Sequence, residues 1–320
     1  MAAPPAVNLV PGPAPLRSTP VIDPVSRSHP ARPADRLADV LTELGTVVVA
    51  FSGGVDSALL AHAALRTLGP DRVLAVTARS ASLASGEVEH CRSLAAEWAM
   101  PWTTVDTSEL DNPDYVANDG NRCFWCKTAL MDALAPVAGG SGGTVVLGVN
   151  LDDLGDHRPG QAAAAERGAR FPLVEAGLTK AGIRALAREA GLSVWDRPAM
   201  PCLSSRLPYG TAVTIPLLQK VDRAEAAVRS LGFTDVRVRH YDDTARIEVP
   251  SADLSLAVER ADELVSALTS LGYRYVTLDL EGLRSGNLNG ALVNEALVNE
   301  ALVDGTPGNH ELVNEALVHG

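Results

Sequence analysis

Lysine is almost missing from this sequence: Lys127, Lys180 and Lys220 are the only three in 320 residues, and arginine supplies nearly all the positive charge. That bias is read as coding composition rather than as a stability device. Basic residues are outnumbered, 27 Lys plus Arg against 39 Asp plus Glu, for a formal net charge of -12. A phosphate backbone is repelled by such a chain unless basic residues gather locally, so nucleic acid is set aside as the default partner and a small molecule is expected. No apolar run reaches the roughly 18 residues that a membrane-spanning helix needs. The N-terminus also lacks the basic stretch and apolar core of a signal peptide, so a cytoplasmic protein with no membrane association is expected. Cysteine is scarce too, with four in the chain. Two of them form Cys123-Phe124-Trp125-Cys126, a spacing that points to metal or redox chemistry rather than to a disulfide framework.

Both ends read as appendages. Residues 1–36 hold nine of the 21 prolines and no periodic apolar pattern, so they are expected to be disordered. From residue 290 the sequence repeats Ala-Leu-Val-Asn-Glu with five acids and no Lys or Arg. A five-residue period fits neither the helical nor the strand repeat, so this is a low-complexity tail.

Between the tails, apolar runs alternate with helical patterns. Strands are expected at 46–51, 73–77, 102–106 and 144–149, with helices at 55–68, 86–99, 126–135 and 180–190. Buried continuous strands alternating with helices imply an α/β fold, a parallel sheet with helices on both faces, over residues 37–210. A smaller α+β domain follows over 211–289, with helix 216–231, strands 234–240 and 244–249, helix 251–271 and strand 273–280. Its strand Val236-Arg237-Val238-Arg239 alternates, so one face is expected to be buried and the other to carry arginines.

The sharpest local signal is Ser52-Gly53-Gly54-Val55-Asp56-Ser57, between the first strand and its helix. Two glycines allow a tight turn and close approach to phosphate oxygens. The helix start adds free N–H groups and its positive dipole end, Ser52 and Ser57 add hydroxyls, and Asp56 can hold Mg²⁺. A Walker A reading fails because no Gly-Lys-Ser/Thr follows. These residues resemble the PP-loop SGGxDS of the N-type ATP pyrophosphatases, which cleave ATP between its α- and β-phosphates. Gly148 through Asp153 ends the fourth strand. The stretch from Pro172 through Lys180 and Arg184 is similar to one common in PP-loop enzymes, where a lysine at the helix start sits near phosphate. The nucleotide set is therefore Ser52, Gly53, Gly54, Asp56, Ser57, Thr77, Gly148, Asp153 and Lys180.

Cys202, in Pro201-Cys202-Leu203-Ser204-Ser205-Arg206, makes a third candidate thiol with Cys123 and Cys126. Structural zinc sites are normally closed by four ligands, and an iron–sulfur cluster held by three cysteines keeps one iron open. A zinc site completed by His90 or His157, or unrelated thiols, are the other readings. Cys91 lies within a helical pattern and is expected to pack in the core.

From about residue 36 to 289 the sequence resembles the LarE-type ATP-dependent sulfur transferases. Four stretches carry the likeness: Asn121-Arg122-Cys123 through Lys127, Asn150 through Gly160, Trp195 through Gly210, and Leu278 through Gly286. The resemblance implies that ATP adenylates a carboxylate of pyridinium-3,5-biscarboxylic acid mononucleotide, and that sulfur then displaces AMP on the way to the nickel-pincer nucleotide cofactor of lactate racemase. Family members with one cysteine at the Cys202 position sacrifice its sulfur. Those with all three cysteines are thought to hold a 4Fe-4S cluster, the route favoured here. The resemblance further implies that Arg237 and Arg239 hold substrate phosphate, that Glu225 assists at Cys202, and that the protein is a homo-oligomer; a lone Cys202 thiolate would instead need its pKa lowered, with Arg206 the expected source. Rival readings are a tRNA thiolase, which needs a basic surface, an amidating synthetase, which needs no cysteine trio, and a non-enzymatic sensor.

Overall fold

The computed structural model describes residues 32–155 and 159–284. Most of the Pro-rich segment, the repeats, and Asp156, His157 and Arg158 of the sequence motifs lie outside them. The first part of the chain runs α1 (Pro33–Leu44), β1 (Val47–Ala50), α2 (Val55–Leu68), β2 (Val73–Arg79), α3 (Glu87–Glu97), β3 (Trp102–Asp106), α4 (Pro113–Val116), α5 (Arg122–Ser141) and β4 (Thr144–Leu147). Three shorter helices follow, α6 (Pro159–Glu166), α7 (Pro172–Glu175) and α8 (Lys180–Glu189).

The four strands form one parallel sheet in the order β3-β2-β1-β4. Val47, Val48 and Val49 are each fully buried, which is why β1 reads as an unbroken apolar run. Val47 and Val49 pack with Leu37 and Leu41 of α1, Ala58 and Ala61 of α2 and Ile183 of α8, while Val48 packs with Met131 and Leu134 of α5. The sheet is thus covered by helices on both faces. Chain order gives it a switch point. From β1 the chain builds outward through β2 and β3, then returns to place β4 on the other side of β1. The loops leaving β1 and β4 diverge there and leave a crevice beyond the strand ends, the usual ligand position in such sheets.

The rest runs through α9 (Ile215–Ser230), β5 (Arg237–Tyr241), β6 (Thr244–Glu248), α10 (Leu254–Glu259), α11 (Ala261–Thr269) and β7 (Tyr275–Leu278). β5 and β6 form an antiparallel hairpin and β7 joins β6 in parallel, with a separate apolar core that includes Val228, Phe233, Val238, Ile247 and Leu268. A smaller cluster around Tyr115, Leu203, Leu207 and Leu218 packs between the two parts.

Three expectations need correcting. The helix expected at 126–135 begins at Arg122 and runs to Ser141, straight through Pro136. Cys123, which the expected bounds left ahead of the helix, therefore sits within it, one turn before Cys126. The helix expected at 251–271 is broken: Arg260 has φ -99° and ψ 20°, and its guanidinium is drawn aside to Glu263 and the Leu231 carbonyl. The arginine face of β5 is not open. Arg237 and Arg239 are 7% and 3% exposed, because Glu248 on the paired strand forks Arg239 and the segment carrying Arg284 covers Arg237.

Candidate active site

The loop after β1 is shaped by its own residues. Gly53 has φ 71°, a left-handed conformation that favours glycine, and a Cβ there would lie 2.8 Å from His90 Cδ2 and 3.0 Å from Cys91 Sγ. Ser57 Oγ accepts from Ser52 N at 3.2 Å, lies 3.1 Å from Ser52 Oγ and donates to Gly54 O at 3.1 Å, closing the turn onto the first turn of α2. Across the crevice Gly148 meets this helix start: a Cβ at 148 would lie 2.7 Å from Ser57 N. Thr77, 2% exposed, donates to Phe51 O at 2.8 Å and accepts from Trp102 Nε1 at 2.9 Å, so it props the strand end. Asp56 accepts from Asn150 Nδ2 at 3.3 Å through one oxygen and is paired with Lys180 Nζ through the other. Lys180 opens α8, whose N-cap Thr179 accepts from Gly182 N at 3.2 Å, and its own backbone N–H donates to Asp152 at 2.7 Å. Asp153 accepts from Asn150 N at 3.1 Å.

A cavity of about 360 Å³ opens on this loop. Ser52, Gly54, Asp56, Ser57, Thr77 and Gly148 line one part of it; Cys126, Lys127, Met200 and Cys202 line another. Of the candidate residues, Gly53, Asp153, Lys180 and Cys123 adjoin this lining without forming it. Cys123 is exposed, one helical turn from Cys126. Burial pushes the Cys126 thiol up to about 12, with Lys127 pulling the other way. Cys91 is 1% exposed and packs beneath the loop, where burial raises its thiol to about 11. Among the described residues no three His, Cys, Asp or Glu side chains are grouped so as to hold a metal ion. Cys126 and Cys202 line the same cavity, while Cys123 lies one helical turn from Cys126 and outside that lining.

The backbone around Cys202 is held at several points. Its carbonyl accepts from Ser205 Oγ at 2.7 Å and Arg206 Nη1 at 3.3 Å, and Leu203 N donates to Ser82 O at 2.8 Å. Below it the hydroxyls of Ser82, Tyr115 and Ser204 stand within 2.6–2.8 Å of one another. Arg122, 6% exposed, donates to Ser204 O at 2.9 Å and stacks over Tyr209. Arg206 and Glu225 do not reach the cavity. They form a buried pair at 2.7 Å, and Glu225 also accepts from Arg229 and from Val238 N. Arg239 continues the network to Glu248 at 2.9 Å and to Ser205 O at 2.5 Å. Arg237 donates to Arg284 O at 3.0 Å, and burial, then Arg206 and Arg239 beside it, lowers its pKa. Sequence reasoning passed over Tyr115, Ser82, Lys127 and Arg197. Lys127 had a signal: of the chain's three lysines it is the one that adjoins the CxxC.

A central parallel strand ending in SGGVDS at a sheet's switch point defines an ATP-using enzyme of the PP-loop class, and residues 34–115 match the NAD synthase family. The chain is 45% identical over 261 residues to an uncharacterized protein of Synechocystis sp., covering 81% of this chain and 97% of that one. It is 42% identical over 259 residues to the pyridinium-3,5-bisthiocarboxylic acid mononucleotide synthase of Lactiplantibacillus plantarum, 80% of this chain and 93% of that protein. An uncharacterized Methanocaldococcus jannaschii protein is 25% identical over 240 residues, 75% of this chain and 91% of that one. The chain belongs to the LarE-type family that the Lactiplantibacillus synthase represents.

Proposed function

We propose that the protein is an ATP-dependent sulfur transferase that adenylates a carboxylate of pyridinium-3,5-biscarboxylic acid mononucleotide and replaces a carboxylate oxygen with sulfur, for nickel-pincer nucleotide synthesis. The observation that carries this reading is one cavity lined by both the SGGVDS loop and the Cys126 and Cys202 thiols. The name of the Lactiplantibacillus relative supports the substrate class. The net charge of -12 weighs against an RNA substrate.

In this mechanism the loop N–H groups, Ser52 and Ser57 bind the β- and γ-phosphates. Lys180 balances part of their charge, and Asp56 would hold a Mg²⁺ ion, which when bound supplies further positive charge. The substrate carboxylate oxygen attacks the α-phosphorus and pyrophosphate leaves. The acyl group then carries AMP, a far better leaving group than oxide. A sulfur nucleophile presented from the Cys126 and Cys202 side attacks the acyl carbon, and AMP departs with the C–O bond electrons. For Arg237 to take the substrate phosphate, with Arg239 beside it, the segment carrying Arg284 has to move off the Arg237 guanidinium. Arg206 and Glu225 act by holding the Cys202 loop. Cys123, Cys126 and Cys202 would hold a 4Fe-4S cluster, which when bound supplies an iron free of protein ligands for a transferable sulfide.

A second reading, in which Cys202 gives up its own sulfur, is favoured by the separation of Cys123 from the cavity lining. Iron and acid-labile sulfide analysis of anaerobically purified protein decides between them. The cluster route predicts a brown protein absorbing near about 400 nm, bleached by Cys123→Ala, Cys126→Ala or Cys202→Ala. Colourless reconstituted protein that loses one sulfur atom at Cys202 after turnover supports sacrifice. Absence of both AMP and thiocarboxylate with this substrate rejects the function.

A further inference from the structure

A second set of contacts ties the nucleotide loop to the cysteine-bearing loop, and it runs through a residue that the chemistry above does not use. Arg197 lies five positions before Cys202 in the irregular segment Arg197-Pro198-Ala199-Met200-Pro201-Cys202. Its guanidinium forks: Nη1 donates to Gly53 O at 3.3 Å, inside the SGGVDS turn, and Nη2 pairs with Glu87 in the first turn of α3 at 2.8 Å. The Arg197 side chain is 21% exposed and that of Glu87 11%, so the pair is largely shielded.

The backbone of the same residue is held from the opposite side. Arg184 donates to the carbonyls of Trp195 at 3.4 Å and Arg197 at 3.3 Å. Arg184 stands one turn along α8 from Lys180, whose ammonium pairs with Asp56. A closed circuit results: Asp56 to Lys180, along α8 to Arg184, across to the Arg197 backbone, and by its side chain back to Gly53. Phosphates that bind the loop perturb two stations of this circuit at once. They compete for the Lys180 charge and engage the turn whose Gly53 carbonyl Arg197 holds. The other end of the segment is also pinned. Leu203 N donates to Ser82 O at 2.8 Å, and Arg206 Nη1 donates to Pro201 O at 2.7 Å. Two prolines stiffen the residues between, because each ring fixes φ and removes a donor. A displacement at Arg197 therefore loads a short stiff segment between two anchors, and Met200, Pro201 and Cys202 within it line the nucleotide cavity.

We propose that Arg197 is a positioning residue that couples occupancy of the nucleotide loop to the placement of Cys202, so that the thiol is brought to the acyl group only when ATP is seated. This rests on the reading that the loop binds ATP and that Cys202 takes part in sulfur delivery. The coupling itself is read without turnover.

The test is iodoacetamide labelling of Cys202 in the full chain purified without iron, followed by peptide mass spectrometry, with and without Mg-ATP. ATP affinity is measured in parallel by equilibrium dialysis. In the unaltered protein ATP is expected to change the labelling rate at least about fivefold, the lower range for coupled sites. Arg197→Ala is expected to keep ATP affinity within about threefold and reduce the ATP effect below about twofold. Arg197→Lys, which keeps the charge but loses the fork, is expected to fall between them. Glu87→Gln, milder for folding, removes the ion pair while sparing the Gly53 contact and is expected to weaken the ATP effect in part. An ATP effect that persists undiminished in Arg197→Ala overturns the proposal, whatever Glu87→Gln shows, as does unaltered protein whose Cys202 rate ignores bound ATP. Failure of ATP to bind the unaltered chain sinks the functional reading instead, so the two failures are distinguishable.

Discussion

Glu225→Ala is the most informative substitution, because this carboxylate is fully buried and takes every donor around it. It accepts from Arg206 Nε at 2.7 Å and Nη2 at 3.2 Å, from Arg229 Nη2 at 2.8 Å and from Val238 N at 3.1 Å. Truncation strands Arg206, itself 1% exposed, with its charge uncompensated. Breaking a buried pair by removing one partner costs about 3–5 kcal/mol. The Arg229 side chain is 29% exposed and rehydrates, so it adds little. At about 2–4 °C per kcal/mol for a fold of this size, the melting temperature is expected to fall by about 6–20 °C. Urea unfolding read by far-UV circular dichroism checks the free energy, and calorimetry checks the temperature. The double replacement Arg206→Met with Glu225→Leu removes both charges and is expected to recover most of the loss. It also leaves the Pro201 and Cys202 carbonyls without their guanidinium, so stability returns while sulfur transfer does not. A cost below about 1 kcal/mol for Glu225→Ala, against the 3–5 expected of a buried pair, would refute the account of this network as an anchor.

Three further outcomes are expected. Asp56→Ala and Ser57→Ala abolish AMP formation while circular dichroism stays unchanged; undiminished AMP would remove the loop from the chemistry. Gly148→Ala places a methyl 2.7 Å from Ser57 N, and backbone cannot move aside cheaply, so ATP affinity should drop more than about tenfold with a stability loss of about 1–3 kcal/mol. Cys91 has its thiol raised by burial from 9.0 to about 11. Its contribution is fully present below pH 9 and is lost as pH rises towards 11, amounting to about 2–3 kcal/mol. Cys91→Ala should flatten the stability curve in that window, and an unchanged slope would contradict it.

What the sequence disclosed was local. The SGGVDS turn, the valine run of β1 and the helix that opens at Lys180 each depend on neighbours within a few positions, so pattern reading located them. The start of α5 was obscured because Asn121 makes no side-chain cap, and Pro136 with Gly139-Gly140 looked like a terminus. The buried arginines were misjudged for a different reason. Alternation along β5 tells which residues share a face, but not that Glu248 and the segment with Arg284 close over that face. Arg197 was invisible because its partners, Gly53 and Glu87, are more than a hundred positions away.

The hydroxyl triangle under Cys202 has a consequence for proton traffic. Three oxygens, Ser82 Oγ, Tyr115 OH and Ser204 Oγ, share three edges of 2.6, 2.8 and 2.7 Å, so a one-way ring uses every hydrogen they own. Burial and nearby thiols also keep the Tyr115 phenol far above its ordinary range, so it does not ionise to accept one. In that arrangement the triangle keeps no hydrogen to donate to the sulfur, so solvent isotope effects on sulfur transfer should survive Tyr115→Phe.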